Sequence, residues 1–384
     1  MTTTRVPVSP TVLEWAADQS GLDVDDLHSS FPGWDEWVAG RRLPTLNQLE
    51  RFANTAGVPF GYLLLEQPPR LELPVPDYRE GFDGAVGEPS SNLLAVLNQS
   101  VRRQDWYRGY AQDNMLPEVE VVGSAANAEA ISAAADMRQK LRFEVGDRPA
   151  NWNETRRYLV KAFEEIGGLV VVTSMVDNNT QKLLDPKEFR GFSLVDRNAP
   201  LVFVNARQTL NGQIFTLAHE FSHIWRGASG VSLEDLHQEP QSETEKWCNA
   251  AASEFLVPSQ DLSRRYPSVA SLRLTDQLDR LAQVYKCGTL VVLQAIRRSG
   301  LVRFDDFTSV FNAEVERLRA FTTSGGEGGG NFYANQPYRV GERLSRALIR
   351  DALEGRTQIS EAIRLMALGS LSVFDKYARH LGIA

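Results

Sequence analysis

The stretch Phe215–Trp225, FTLAHEFSHIW, constrains this chain more than any other. His219 and His223 are four residues apart, so on a helix they project from one face, one turn apart. Glu220 lies between them, and Ile214, Phe215, Leu217 and Ala218 make the helix core-facing. Burying two imidazoles and a carboxylate in such a helix is costly unless something pairs them. Each neutral imidazole can give one nitrogen to a metal at about 2.0–2.1 Å. Glu220 can then reach a water at the metal without itself being a ligand. Zinc lowers the pKa of that water towards ~7, and Glu220 takes its proton and passes it to a leaving amine.

A catalytic metal centre needs three protein ligands and one open position. The next helix, ETEKWCN, offers Glu243 and Glu245, with Asn249 one turn beyond Glu245. A helix–loop–helix hairpin of this length can return Glu245 to the histidine pair. Asn249 then lies on the same face and can hydrogen-bond the outer nitrogen of a liganding histidine. Glu254 competes for the third position but is followed by the apolar FLVP, and Glu243 is less well phased with Asn249. The expectation is one zinc ion per chain on His219, His223 and Glu245, with two histidines and one glutamate favouring zinc over manganese or iron. Cys248, one turn after Glu245, reads as a small buried residue. An oxyanion stabiliser is less evident: His237 is a candidate, although a solvated loop histidine is the simpler account, and Tyr333 or Tyr338 are further options.

A chain of 384 residues with 42% hydrophobic residues calls for two to four domains. Residues 1–70 read as short helices with tight turns, 71–145 as a Pro- and Gly-rich arm followed by helices, and 146–265 as the metal-site domain. Within the last, GGLVVVTSMV, FRGFSLVD and APLVFVNA are β-rich runs. Ala228 to Gln241 reads as a polar loop. Residues 266–384 are helical, interrupted by the glycine-rich loop 323–330, and the helices from Phe332 on look like a lid or partner surface. The fold class is therefore α+β and mostly helical: an N-terminal helix-turn-helix bundle, a small central sheet beside the HExxH helix, and a C-terminal helical region. A net charge of −8 argues against a protein that coats nucleic acid. Two cysteines argue against a disulfide scaffold. The N-terminal stretch has no apolar core of signal-peptide type, and no run approaches the ~18 apolar residues of a membrane span. A soluble, cytoplasmic protein is expected.

The segments FRGFSLVDRNAPLVFVNA, FTLAHEFSHIW and ETEKWCNAAASEFLVP resemble the ImmA/IrrE family of zinc metallopeptidases over roughly residues 150–265. The resemblance implies His219, His223 and Glu245 as ligands, Glu220 as general base, and a transcriptional repressor as protein substrate. The N-terminal GRRLPTLNQLERFA and its surroundings resemble the Xre-type helix-turn-helix. Working DNA readers offer base-contacting and basic side chains from their third helix. Here that region carries Asp35 and Glu36, with only Arg41 and Arg42 to touch phosphates. Residues 1–70 hold nine acidic against five basic residues, so DNA binding by a single copy is expected to be weak, and a homodimer pairing two Arg41–Arg42 sites would strengthen it. Fusions of this kind resemble regulators encoded beside toxin genes. A non-proteolytic antitoxin or transcriptional regulator is therefore the alternative function.

Overall fold

A computed structural model describes residues 5–20, 24–69, 73–79, 88–233, 240, 242–322 and 332–383. The glycine-rich loop 323–330 and His237 lie outside these residues. The chain divides into two compact units, Met1–Pro74 with Gly87–Asn98, and Val75–Val86 with Gln99–Ala384.

The first unit contains α1 (Pro10–Ser20), α2 (Val24–Ser30), α3 (Trp34–Val38) and α4 (Leu46–Ala56), followed by a 3-10 turn at Phe60–Leu64. α4 begins at a reciprocal cap. The Gln48 amide donates to Thr45 Oγ1 at 3.3 Å, and the Thr45 amide donates to Gln48 Oε1 at 2.9 Å, satisfying amides that a helix start leaves without partners. The apolar faces close on one core that includes Leu13, Trp34, Trp37, Leu49, Phe52 and Leu63. Trp34 and Trp37 are thus core residues.

The remaining helices are α5 (Ser91–Asp113), α6 (Ala130–Lys140), α7 (Trp152–Glu165), α8 (Leu210–Arg226), α9 (Glu243–Leu256), α10 (Ser259–Arg265), α11 (Leu274–Tyr285), α12 (Thr289–Arg298) and α13 (Phe307–Thr322), then α14 (Phe332–Val340), α15 (Glu342–Leu353), α16 (Ile359–Leu365) and α17 (Leu371–His380). The sheet strands are β1 (Asp77–Tyr78), β2 (Leu169–Thr173), β3 (Gly191–Leu194), β4 (Leu201–Asn205) and β5 (Gly230–Ser232), in the order β1-β5-β3-β4-β2. β3 runs antiparallel to β4 and β5, while β2–β4 and β1–β5 are parallel. The architecture is mostly helical α+β. Two strands were not anticipated: β5 falls in the segment read as a polar loop, and β1 in the proline-rich arm. Strands of three and two residues are too short to show a period of two.

β2, β3 and β4 are buried along their whole length, as sheets covered on both faces are. Val170, Val172, Val202 and Val204 share a core with Ile214, Leu217, Ala218 and Phe221 of α8. Alternation sends Phe192 and Phe203 to the opposite face, where their rings stack at 4.5 Å. α8 is buried on every side from Gln213 to Trp225, its polar Gln213, Thr216, His219, Glu220, Ser222 and His223 included. Helices α6, α7 and α9 and strands β3 and β4 pack around it, and α14 packs against β2. Among the described residues, no helix is long and apolar enough to cross a membrane.

Candidate metal centre

The centre is built by α8, α9 and the turn that leaves α8. Thr209 caps α8, its hydroxyl accepting from the Gly212 amide at 3.2 Å. Two turns further on, the Nε2 atoms of His219 and His223 lie 3.1 Å apart. α9 runs back along α8 and brings Glu245 from its first turn to the pair. Glu245 Oε2 is 3.1 Å from His219 Nε2, and Oε1 is 3.0 Å from His223 Nε2. The three side chains are buried, and their candidate ligand atoms all lie within 4.8 Å of one another.

The outer nitrogens decide what the inner ones can do. His219 Nδ1 is 3.0 Å from Asn249 Oδ1, and His223 Nδ1 is 3.0 Å from the Ala228 carbonyl. Both partners are acceptors, so each Nδ1 carries the proton and each neutral ring turns an Nε2 lone pair inward. Two lone pairs and a carboxylate then converge in a dry site, an arrangement that repels itself unless a cation sits among them. The residues therefore fit a metal ion, with Asn249 and the Ala228 carbonyl holding the rings in the liganding tautomer. A proton competes for the same lone pairs. Burial alone lowers the pKa of His223, but the hydrogen bond and charge of Glu245 outweigh it and raise the value to about 9. Burial acts upward on Glu245 as well, and the two histidines overcome it and hold its pKa far below the carboxylate range.

Glu220 follows His219 on α8 and is fully buried. Its carboxylate is accommodated by Gly191 of β3. A Cβ there would lie 2.8 Å from Glu220 Oε1, 2.6 Å from Thr216 Cγ2 and 2.9 Å from the Phe203 carbonyl. Ser232 of β5 reaches the centre from the other side, with its hydroxyl 3.3 Å from His223 Nε2.

The competing carboxylates are elsewhere. Glu254 Oε1 accepts from the Ser259 amide at 3.0 Å and its hydroxyl at 3.1 Å, at the start of α10. Glu243 is exposed and pairs with Lys246 Nζ at 2.7 Å. Cys248 is fully buried, and desolvation pushes its thiol pKa well above the usual range. Tyr333 packs against the His380 ring at 6.0 Å, and Tyr338 lies under the Arg156 guanidinium at 5.4 Å. In the first unit, Arg42 Nη1 is 3.2 Å from Glu36 Oε2, and Arg41 Nη2 is 3.5 Å from the Asp35 carbonyl. Sequence reasoning passed over Gly191, Ala228 and Ser232. Gly191 stood in plain view inside FRGFSLVD, a glycine interrupting a β-rich run, which signals close approach by another group. Nothing local marked Ala228 or Ser232.

A two-histidine, one-glutamate cluster on consecutive helices is the donor set of a metallopeptidase-type centre. Residues 164–297, about a third of the chain, match the family model described as the IrrE N-terminal-like domain of the M78 peptidases, which supports a metallopeptidase. Residues 340–380 match a domain of unknown function (DUF8813). No curated protein matches the chain.

Proposed function

We propose that this protein is a cytoplasmic zinc metallopeptidase that cleaves a regulatory protein, either a repressor or a toxin partner from a neighbouring gene. The observation that carries the reading is the convergence of two Nε2 lone pairs and the Glu245 carboxylate, with Glu220 one residue away on the same helix. His219, His223 and Glu245 would hold the metal. When bound, zinc supplies Lewis acidity towards a peptide carbonyl. Glu220 accepts a proton from the attacking water and returns it to the leaving amine. Asn249 keeps His219 oriented through its Nδ1–H. The N-terminal unit, in this reading a helix-turn-helix, serves partner docking or dimerisation more than DNA contact, because Arg42 is paired with Glu36.

The burial of the centre favours a second reading, a non-proteolytic antitoxin or regulator whose metal is structural or idle. The two readings separate on Glu220→Gln. The purified protein, with zinc retained, is incubated with the product of the neighbouring gene, and cleavage is followed by mass spectrometry. Cleavage by the native protein that is lost in Glu220→Gln is the expected result. Unchanged biological output of Glu220→Gln with zinc bound would overturn the peptidase reading.

A further inference from the structure

The sheet edge beside the metal centre is occupied by the chain's own arm. β1 pairs with β5, Asp77 opposite Val231 and Tyr78 opposite Ser232, and the Val231 amide donates to the Pro76 carbonyl at 3.0 Å. Ser232 is also the residue whose hydroxyl reaches His223. The Tyr78 ring stacks on the His223 imidazole, with centroids 5.9 Å apart and planes 20° apart. It lies so close over Gly230 that a Cβ there would be 2.3 Å from a ring carbon. Arg79, the next residue, is buried. Its guanidinium is held by Asp77 Oδ1 at 2.8 Å, Asp77 Oδ2 at 2.7 Å and Glu188 Oε1 at 3.3 Å, and its amide donates to Asp77 Oδ1 at 3.0 Å. A buried guanidinium is tolerated only when paired, so this segment has a built attachment.

An extended peptide binds a sheet by adding to an edge. At one end of this sheet α14 packs against β2; at the other, β1 covers β5. The centre is closed as it stands: His219, Glu220 and His223 are each 0% exposed. A peptide and a water must nevertheless enter for hydrolysis to occur. The strand that borders the centre is two residues long and is fastened through Tyr78 and Arg79 rather than by a long ladder, so it can leave as a unit.

We propose that residues 75–79 are an autoinhibitory strap: they hold the sheet edge that a substrate peptide must use, and the peptide gains the centre only when the strap is displaced. This rests on the peptidase reading and adds regulation of the same site. The test uses the zinc-loaded full chain and its Asp77→Ala, Tyr78→Ala and Tyr78→Phe variants. Zinc content is measured first, then binding of Ala-Leu-Ala hydroxamate, a peptide with a zinc-chelating end, by calorimetry. The expected result is at least tenfold tighter binding in Asp77→Ala and Tyr78→Ala, with native affinity in Tyr78→Phe, which keeps the ring, and one zinc per chain throughout. Equal or weaker binding in the two alanine variants with zinc retained overturns the strap, as does absence of binding in every variant. Zinc loss in both alanine variants also overturns it, since the segment would then support the centre instead of covering it. Hydrolysis of the neighbouring gene's product, lost in Glu220→Gln, judges the peptidase reading separately. Tighter hydroxamate binding without that hydrolysis retains the strap and removes the peptidase.

Discussion

Asn249 Oδ1 lies 3.0 Å from His219 Nδ1, and through that hydrogen bond a residue with no donor in the cluster decides which nitrogen of His219 faces it. Losing such an outer partner weakens metal affinity about 10–100-fold in comparable sites. Asn249→Ala is predicted to lower zinc affinity by that order, measured by competition with a fluorescent chelator, while Asn249→Asp, which keeps the acceptor, stays closer to the native value. Equal affinity in Asn249→Ala would remove Asn249 from the orientation of the centre.

Gly191 is the contact that leaves room for Glu220. An added methyl meets Thr216, the Glu220 carboxylate and the Phe203 carbonyl, each under 3.0 Å. Two of these belong to α8 and one to the backbone of β4, so neither side yields easily. Overpacking of this kind costs about 1–3 kcal/mol. Gly191→Ala is predicted to lower stability by that amount in denaturant unfolding and to reduce any Glu220-dependent hydrolysis, with zinc still bound. Native stability in the variant would show that the strand and helix separate freely here.

Glu164, near the end of α7, supplies a pH dependence independent of the metal. Burial raises its pKa to about 8, against the lowering effect of the Arg343 amide 3.3 Å from Oε1. A carboxyl with a raised folded-state pKa binds its proton more tightly folded than unfolded. Its contribution is therefore full below the unfolded value of about 4.3 and is lost as pH rises through about 8. Glu164→Gln mimics the protonated form. Its stability relative to the native chain is predicted to rise between pH 6 and pH 9, read as the difference in Tm. A difference independent of pH would mean that Glu164 is ionised throughout.

The first unit carries its own electrostatic prediction. Arg42 is engaged by Glu36 and Asp35 by His28, and acidic residues outnumber basic ones over residues 1–70. Phosphate neutralisation dominates affinity for duplex DNA. Fluorescence anisotropy with a mixed-sequence duplex at low salt is predicted to show no saturation below about 10⁻⁵ M, no tighter than typical non-specific binding at physiological salt. Tight binding with a steep salt dependence would restore DNA contact by Arg41 and Arg42.

What the sequence revealed followed from local periodicity. Four-residue spacing put His219 with His223 and Glu245 with Asn249, and the β-rich runs marked β2, β3 and β4 because each is long enough to carry a composition. The hidden parts came from pairings distant in sequence. β1 and β5 are too short to have a pattern, and 154 positions separate Tyr78 from its partner Ser232. Tyr78 sits in PVPDYREG, whose prolines read as a linker, yet its ring lies on His223. The acceptor for His223 Nδ1 is a backbone carbonyl, Ala228, which no side-chain motif can announce.

If the proposed centre operates, His219, His223 and Glu245 hold one zinc ion and leave a position open. Zinc K-edge X-ray absorption on the purified full chain, normalised to zinc content, tests it most directly. The expected spectrum shows one zinc per chain, two imidazole nitrogens at about 2.0–2.1 Å and oxygen ligands at about 2.0–2.2 Å. A chain that takes up no zinc, or a sulfur ligand at about 2.3 Å drawn from Cys248, would contradict it.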